Sequence, residues 1–155
     1  MAMNKLTTGL LLFVVIACAA GDSLPELVPE IKDNTEFELF QGYTLAACLA
    51  YGYQAGDIYT DSVAALNGYR ARARVPLEAY RQLNKIIVNW LAKSYKNHMD
   101  EQTEIAACID LSKSQELAQL FAIFDPCRDS RSWRDKNEFK VRCPQASSFE
   151  VISEG

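Results

Sequence analysis

The sequence predicts an all-α fold, a compact bundle of about five helices with disulfides and an irregular C-terminal tail. Apolar residues recur at three- and four-residue steps through most of residues 36–126, the pattern of helices that bury one face. Four cysteines follow the N-terminal apolar segment, and an even number of cysteines is typical of a disulfide framework. The length of 155 residues, with 49% hydrophobic and 23% charged residues, indicates one globular domain.

Residues 1–20 are predicted to be a signal peptide, because Lys5 precedes an unbroken apolar run over 10–20. This run is far shorter than the ~20 residues that a bilayer span requires, so no transmembrane span is predicted. Two cleavage forms fit the segment. Ala17 and Ala19 suit an ordinary signal peptidase, which releases a soluble product, whereas residues 15–18 suit lipoprotein processing, which leaves a lipid anchor on Cys18.

Residues 21–35 contain two prolines among acidic residues and are predicted to form an extended lead-in. A first helix is predicted from Glu36 onward. One face of this helix carries mostly apolar side chains, at Phe37, Phe40, Thr44, Ala47, Cys48 and Tyr51. Gly52 and Gly56 predict its end, followed by a loop over 54–60.

Two further helices are predicted, over 61–73 and from Pro76 onward. Gly68 weakens the first of them by roughly 1 kcal/mol relative to alanine and would allow a close helix crossing. The second has the strongest apolar stripe in the chain, with Tyr80, Leu83, Ile87, Trp90 and Ser94 at helical spacing, and is predicted to be the central helix. Residues 97–100 interrupt this pattern.

The pattern resumes over 103–111, with Ile105, Cys108 and Ile109 on one side. Ser112 or Ser114 then caps a short helix that Pro126 stops. Residues 127–155 have no clear period and are predicted to be a tail closed by a disulfide. Val141 and residues 149–152 indicate a short strand within it.

The four cysteines of the exported chain predict two disulfides in an oxidising compartment. We favour Cys48–Cys108 and Cys127–Cys143 over the crossed pairings. Cys48 and Cys108 lie on inward faces of separate helices, and closing about 60 residues stabilises by roughly 4 kcal/mol in the chain-entropy model. No Cys-x-x-Cys spacing occurs and there is one histidine, so neither a metal site nor a cofactor is predicted.

The sequence favours a binding protein over an enzyme. His98 is the one imidazole, it lies in a polar segment, and no nucleophile motif or phosphate-binding loop is present. A hydrolase that uses His98 and Asp100 lacks an identifiable nucleophile. Loss of residues 1–20 removes one lysine and no acid, so the formal charge changes from −4 to −5, which argues against nucleic acid as a partner.

Three segments resemble the type VI secretion amidase immunity proteins: YTLAACLAYGY at 43–53, NWLAKSYKN at 89–97 and CIDLSKSQEL at 108–117. Their order and spacing match the family over about residues 40–120. The resemblance implies a helical immunity-like domain over 36–126. The tail after Phe124, with Cys127 and Cys143, departs from the family pattern.

The resemblance also implies a function. Such a protein resides in the periplasm, binds the cognate peptidoglycan amidase effector and inhibits it by occluding its active site. The family implies a homodimer that pushes a loop into the cleft of the effector, and the residues predicted to make this contact are His98, Met99, Asp100 and Glu101. The alternative is a small periplasmic envelope lipoprotein or scaffold module that binds a resident protein through an aromatic face.

Overall fold

The computed structural model describes residues 34–146. The predicted signal peptide, the Cys18 anchor, most of the lead-in and the strand over 149–152 lie outside the described residues. The described part is all-α, as predicted. Its six α-helices are α1 (Glu36–Tyr53), α2 (Gly56–Arg72), α3 (Leu77–Leu91), α4 (Glu104–Ser112), α5 (Gln115–Phe124) and α6 (Lys136–Arg142), with 3-10 turns at Pro126–Arg128 and Ser130–Ser132.

α1 begins with a capping box, in which the Thr35 hydroxyl accepts from the Glu38 backbone N–H and the Glu38 carboxylate accepts from the Thr35 N–H. Its buried face includes Phe40 and Cys48, both fully buried, as the periodicity predicts. Tyr51, predicted on the same face, is instead 43% exposed, because it lines a surface groove together with Val88 and Leu91.

α2 begins at Gly56, so the predicted loop over 54–60 is wrong. Gln54 ends α1 in the left-handed region, with φ 54°, and the chain re-enters a helix after one further residue. The close helix approach predicted at Gly68 is also wrong, since no atom lies within 4 Å of a Cβ built there. It occurs at Gly42, where such a Cβ would meet the Tyr69 ring at 2.5 Å.

α3, α4 and α5 complete the core with α1. Leu83 and Ile87 of α3, Leu111 of α4 and Leu117 of α5 are fully buried. α3 ends at Leu91, so Ser94 is outside the helix and exposed. Ser114 rather than Ser112 caps α5, because its hydroxyl accepts from the Leu117 N–H at 3.1 Å.

α4 is joined to α1 by the predicted disulfide between Cys48 and Cys108, whose Cα atoms lie 5.5 Å apart. Ile105 and Ile109 do not share the inward side of Cys108, since they are 43% and 39% exposed. The buried face of α4 consists instead of Ala107, Cys108, Leu111 and Ser112. No helix of the described part is long and apolar enough to cross a bilayer.

The C-terminal extension, residues 125–146, contains more regular structure than the sequence indicates. Cys127 pairs with Cys143 as predicted, and a second small core forms from Trp133, Phe139 and Cys143. Val141 lies within α6, so the strand predicted there is wrong. The Asp135 carboxylate caps α6 by accepting from the N–H groups of Asn137 and Glu138.

The α3–α4 connection and the C-terminal extension lie at opposite ends of the bundle. α4 runs antiparallel to α1, because Glu104 lies beside Gly52 while the Gln41 amide donates to the Ser112 carbonyl at 3.0 Å. The α3–α4 connection therefore lies at the Tyr53 end of α1. The C-terminal extension lies at the other end, about 27 Å away along an 18-residue helix.

Candidate functional site

The connection between α3 and α4, residues 92–103, is an ordered loop. Lys96 and Gln102 form an antiparallel bridge. The Thr103 N–H donates to the Tyr95 carbonyl at 2.8 Å, and the Asn97 N–H donates to the Glu101 carbonyl at 3.0 Å. These bonds pair the two arms of the loop and leave residues 98–100 as its tip.

Asn97 organises this tip. Its side-chain Oδ1 accepts from the backbone N–H groups of Met99 and Glu101 at 2.9 and 3.0 Å. Its Nδ2 donates to the Glu101 carboxylate at 2.7 Å, and its carbonyl accepts from the Asp100 N–H at 3.0 Å. The turn places Asp100 in the left-handed region with φ 65°, which aspartate tolerates better than most residues. The loop is therefore held in one shape by its own side chains.

The four predicted contact residues differ in their surroundings. Asp100 forms an ion pair with Lys96 at 2.7 Å, and Glu101 is held by Asn97, so both acids have partners inside the loop. His98 and Met99 are exposed, and Met99 is 68% exposed. Within residues 34–146 neither side chain makes a recorded hydrogen bond or ion pair. The groups free to meet another molecule at the tip are thus an imidazole and a thioether.

The base of the loop is fastened to the bundle by aromatic side chains. The Tyr95 hydroxyl donates to the Asp110 carboxylate of α4 at 2.8 Å, and this hydrogen bond raises the pKa of Tyr95. The indole N–H of Trp90 donates to Glu116 of α5 at 2.7 Å, while Lys93 lies over the indole ring. The base of the loop is thus joined to α4 through Tyr95, and the end of α3 that precedes it is joined to α5 through Trp90.

A shallow groove lies beside the loop base. It encloses about 360 Å³ and is lined by Tyr51, Gly52, Gln54, Val88, Leu91, Ala92 and Glu104. Val88 is 54% exposed and Tyr51 is 43% exposed, so apolar side chains continue from the loop onto the adjoining ends of α1 and α3. Together the loop and this groove form a protruding, partly apolar surface.

The arrangement provides no catalytic constellation among residues 34–146. His98 lies beside no nucleophile, and no group of three or more potential metal ligands occurs in the described part. Burial raises the pKa of Tyr80 to about 12. Its ring packs against Phe40 and Tyr43 and beneath the Arg70 guanidinium, so it serves the core.

Comparison with known protein families gives a match over residues 38–121, more than half of the chain, to the family described as type VI secretion system amidase immunity proteins, Tai4. The chain belongs to the type VI secretion amidase immunity family. The matched region includes α1 to most of α5 and the whole loop. Members of this family are immunity proteins rather than enzymes, in agreement with the sequence prediction.

Solved structures show the same fold. A chain of the Tae4/Tai4 effector–immunity system from Salmonella typhimurium aligns with 23% identity and a TM-score of 0.53, covering 57% of this chain and 87% of that chain. A chain of the Tae4–Tai4 effector–immunity complex from Enterobacter cloacae aligns with 16% identity and a TM-score of 0.55, covering 60% and 95%. No curated protein matches significantly.

The sequence predicts where the loop lies but not the hydrogen bonds that hold its shape. Residues 98–101 follow the motif that ends at Asn97, and three of the four are polar. The role of Asn97 itself was missed, although an asparagine at the start of a turn is a recognised signal for side-chain capping of the following amides. The predicted contacts of residues 98–101 with another protein remain predictions.

Proposed function

We propose that this protein is a periplasmic immunity protein that binds a cognate peptidoglycan amidase effector and inhibits it by occluding its active site with the loop over 97–101. The observation that supports this proposal most strongly is the order of an exposed loop. A loop held by Asn97 and by the Lys96–Asp100 pair loses little conformational entropy on binding. Such a loop is suited to insertion into a cleft.

The contacts within the loop distinguish residues that are free to bind the effector from residues that hold the loop conformation. We assign direct contact with the effector to His98 and Met99, because neither side chain makes a hydrogen bond or ion pair within residues 34–146. Asp100 and Glu101 hold the loop conformation through Lys96 and Asn97. A flexible, exposed thioether adapts to an apolar recess in a partner. The groove beside Val88 extends the contact surface beyond the loop.

Export to the periplasm is supported by two disulfides, which persist in oxidising compartments. Free periplasmic protein and protein anchored through Cys18 are both compatible with the proposed inhibition.

We also propose a homodimer. α2 buries only Ser62 among its 17 residues. Ile58 and Tyr59, near its N-terminal end, are 42% and 39% exposed. These two side chains present apolar area on α2, and a second copy of the chain is the occupant that the family resemblance indicates.

The proposal is tested by coexpressing the mature protein with the amidase encoded beside it, and measuring both complex formation and residual peptidoglycan hydrolysis. Tight binding with loss of hydrolysis is expected. Met99→Asp places a charge at the tip and should weaken binding strongly. Ile123→Asp, at a 63% exposed position on α5, is the matched control and should leave binding unchanged.

Absence of a complex with the wild-type protein would refute the immunity proposal and favour the envelope scaffold. If the wild-type complex forms but Met99→Asp and Ile123→Asp weaken it equally, the protein still acts as an inhibitor. The assignment of the loop as the contact surface would then be refuted.

A further inference from the structure

The two disulfides have different surroundings. Cys48 and Cys108 are fully buried between α1 and α4. Cys127 is partly exposed and lines two surface grooves of about 360 and 410 Å³. Thiol–disulfide exchange requires a thiolate to approach a sulfur atom, so access decides which bond reacts in the folded protein. Cys143 is itself only 3% exposed, so the Cys127–Cys143 bond is accessible from the Cys127 side.

This disulfide holds together a very small structural unit. The extension over 125–146 has a core of Trp133, Phe139 and Cys143, and the Trp133 indole N–H donates to the Pro126 carbonyl at 3.0 Å. A segment of this size cannot bury enough apolar surface to fold alone. Its structure therefore depends on the disulfide and on its contacts with the helical bundle.

The ion pairs between the extension and the bundle involve Glu36 and Arg74, and the Arg128 guanidinium also donates to the Ala122 carbonyl of α5. The Glu36 carboxylate is fully buried, accepts from the Arg74 backbone N–H at 2.8 Å, and lies 3.8 Å from the Arg142 guanidinium of α6. The Arg74 guanidinium pairs with Glu138 of α6 at 2.8 Å and lies over the Trp133 ring at 4.6 Å. α6 thus contacts the first turn of α1 through Arg142 and the segment just after α2 through Glu138.

We propose that Cys127–Cys143 is a site of exchange with a dithiol, and that this exchange releases the extension from the bundle. A thiolate of the dithiol attacks Cys127 Sγ, forming a mixed disulfide and expelling Cys143 Sγ as a thiolate that takes up a proton. The second thiol of the dithiol then displaces Cys127 as a thiol. Two electrons pass to the protein, and the dithiol leaves as a disulfide.

The consequence is confined to one end of the molecule. Release removes Arg142 from Glu36 and removes Glu138 and Trp133 from Arg74, so the first turn of α1 loses its cover. The Cys48–Cys108 bond continues to hold α1 against α4, and the α3–α4 loop lies at the far end of the bundle. The oxidised dithiol, acting in reverse, closes the extension again.

The experiment treats the oxidised, exported protein with increasing dithiothreitol, quenches it with an alkylating reagent and measures each cysteine-containing peptide by mass spectrometry. Cys127 and Cys143 are expected to be alkylated at least about tenfold faster than Cys48 and Cys108, because the buried bond requires opening of the bundle. New tryptic cleavage at Arg128 and Arg131 should accompany this first stage, with a fall in Tm of about 10 °C. Simultaneous reduction of both disulfides, or first reduction of Cys48–Cys108, would overturn the proposal.

A pair of variants tests whether the contacts restrain the exchange without removing a cysteine. Arg142→Gln should make reduction of Cys127–Cys143 several-fold faster, because the extension then opens more often. Arg134→Gln is the matched control, since this exposed arginine lies in the same extension and forms no hydrogen bond or ion pair within residues 34–146. Equal reduction rates in the two variants would show that the extension is not held by these contacts and would contradict the mechanism.

Discussion

Replacement of Asn97 by alanine tests the proposed order of the loop. The substitution removes two hydrogen bonds accepted by Oδ1 and one donated by Nδ2 to Glu101. Each contributes about 0.5–1.5 kcal/mol at most in this exposed setting, so ordering the loop in a complex should cost about 2 kcal/mol more. That difference corresponds to an increase of about 30-fold in Kd.

The change in affinity is measured by calorimetry with the cognate amidase, and the change in the loop by amide hydrogen exchange. The N–H groups of Met99 and Glu101 should exchange faster in Asn97→Ala, whereas Tm should change little because the loop adds nothing to the core. Asn89→Ala, an exposed position on α3, is the control and should behave as wild type. Unchanged exchange at Met99 and Glu101 would refute the role assigned to Asn97.

Three further predictions concern stability. Cys48→Ser with Cys108→Ser should lower the free energy of unfolding by roughly 4 kcal/mol, as measured by urea denaturation; a loss below about 1 kcal/mol would contradict the chain-entropy argument. Leu83→Ala, at a fully buried position in α3, should cost about 2–5 kcal/mol in the same assay, and a near-neutral result would contradict its place in the core. Burial raises the pKa of Glu36 above its ordinary 4.5, with the hydrogen bond from Arg74 opposing this effect, so the folded state holds a proton at higher pH than the unfolded state. The contribution of Glu36 to stability should therefore decrease as pH rises from about 4.5 through the folded pKa, and Glu36→Gln should remove that dependence; an unchanged pH profile would contradict the burial of the carboxyl group.

Periodicity predicted the central parts of the fold well where helices bury a wide face. Phe40, Cys48, Leu83 and Ile87 lie in the core because each recurs at helical spacing with other apolar residues. The Cys48–Cys108 pairing was predicted from the inward faces of the same helices. The start of α2 was missed because Gln54, rather than a glycine, adopts the left-handed conformation that ends α1.

The remaining features depend on contacts between distant parts of the chain. α6 spans seven residues, too few for an apolar period to be visible. In the sequence, Glu36 resembles an ordinary acidic residue of a first helical turn. Its complete burial cannot be predicted, because its partners Arg74 and Arg142 are distant in the chain and meet it only in the fold. Within the candidate site, the sequence does not show which of residues 98–101 hold the loop, whereas in the fold Asp100 pairs with Lys96 and Glu101 accepts from Asn97.

The most direct test of the central claim uses the purified cognate amidase with a short soluble peptidoglycan fragment as substrate. Titration with the mature protein should reduce cleavage of this fragment to background at saturation, because a loop inside the cleft excludes small substrates as well as large ones. Continued cleavage of the fragment by the saturated complex would show that the protein binds away from the active site and would contradict occlusion.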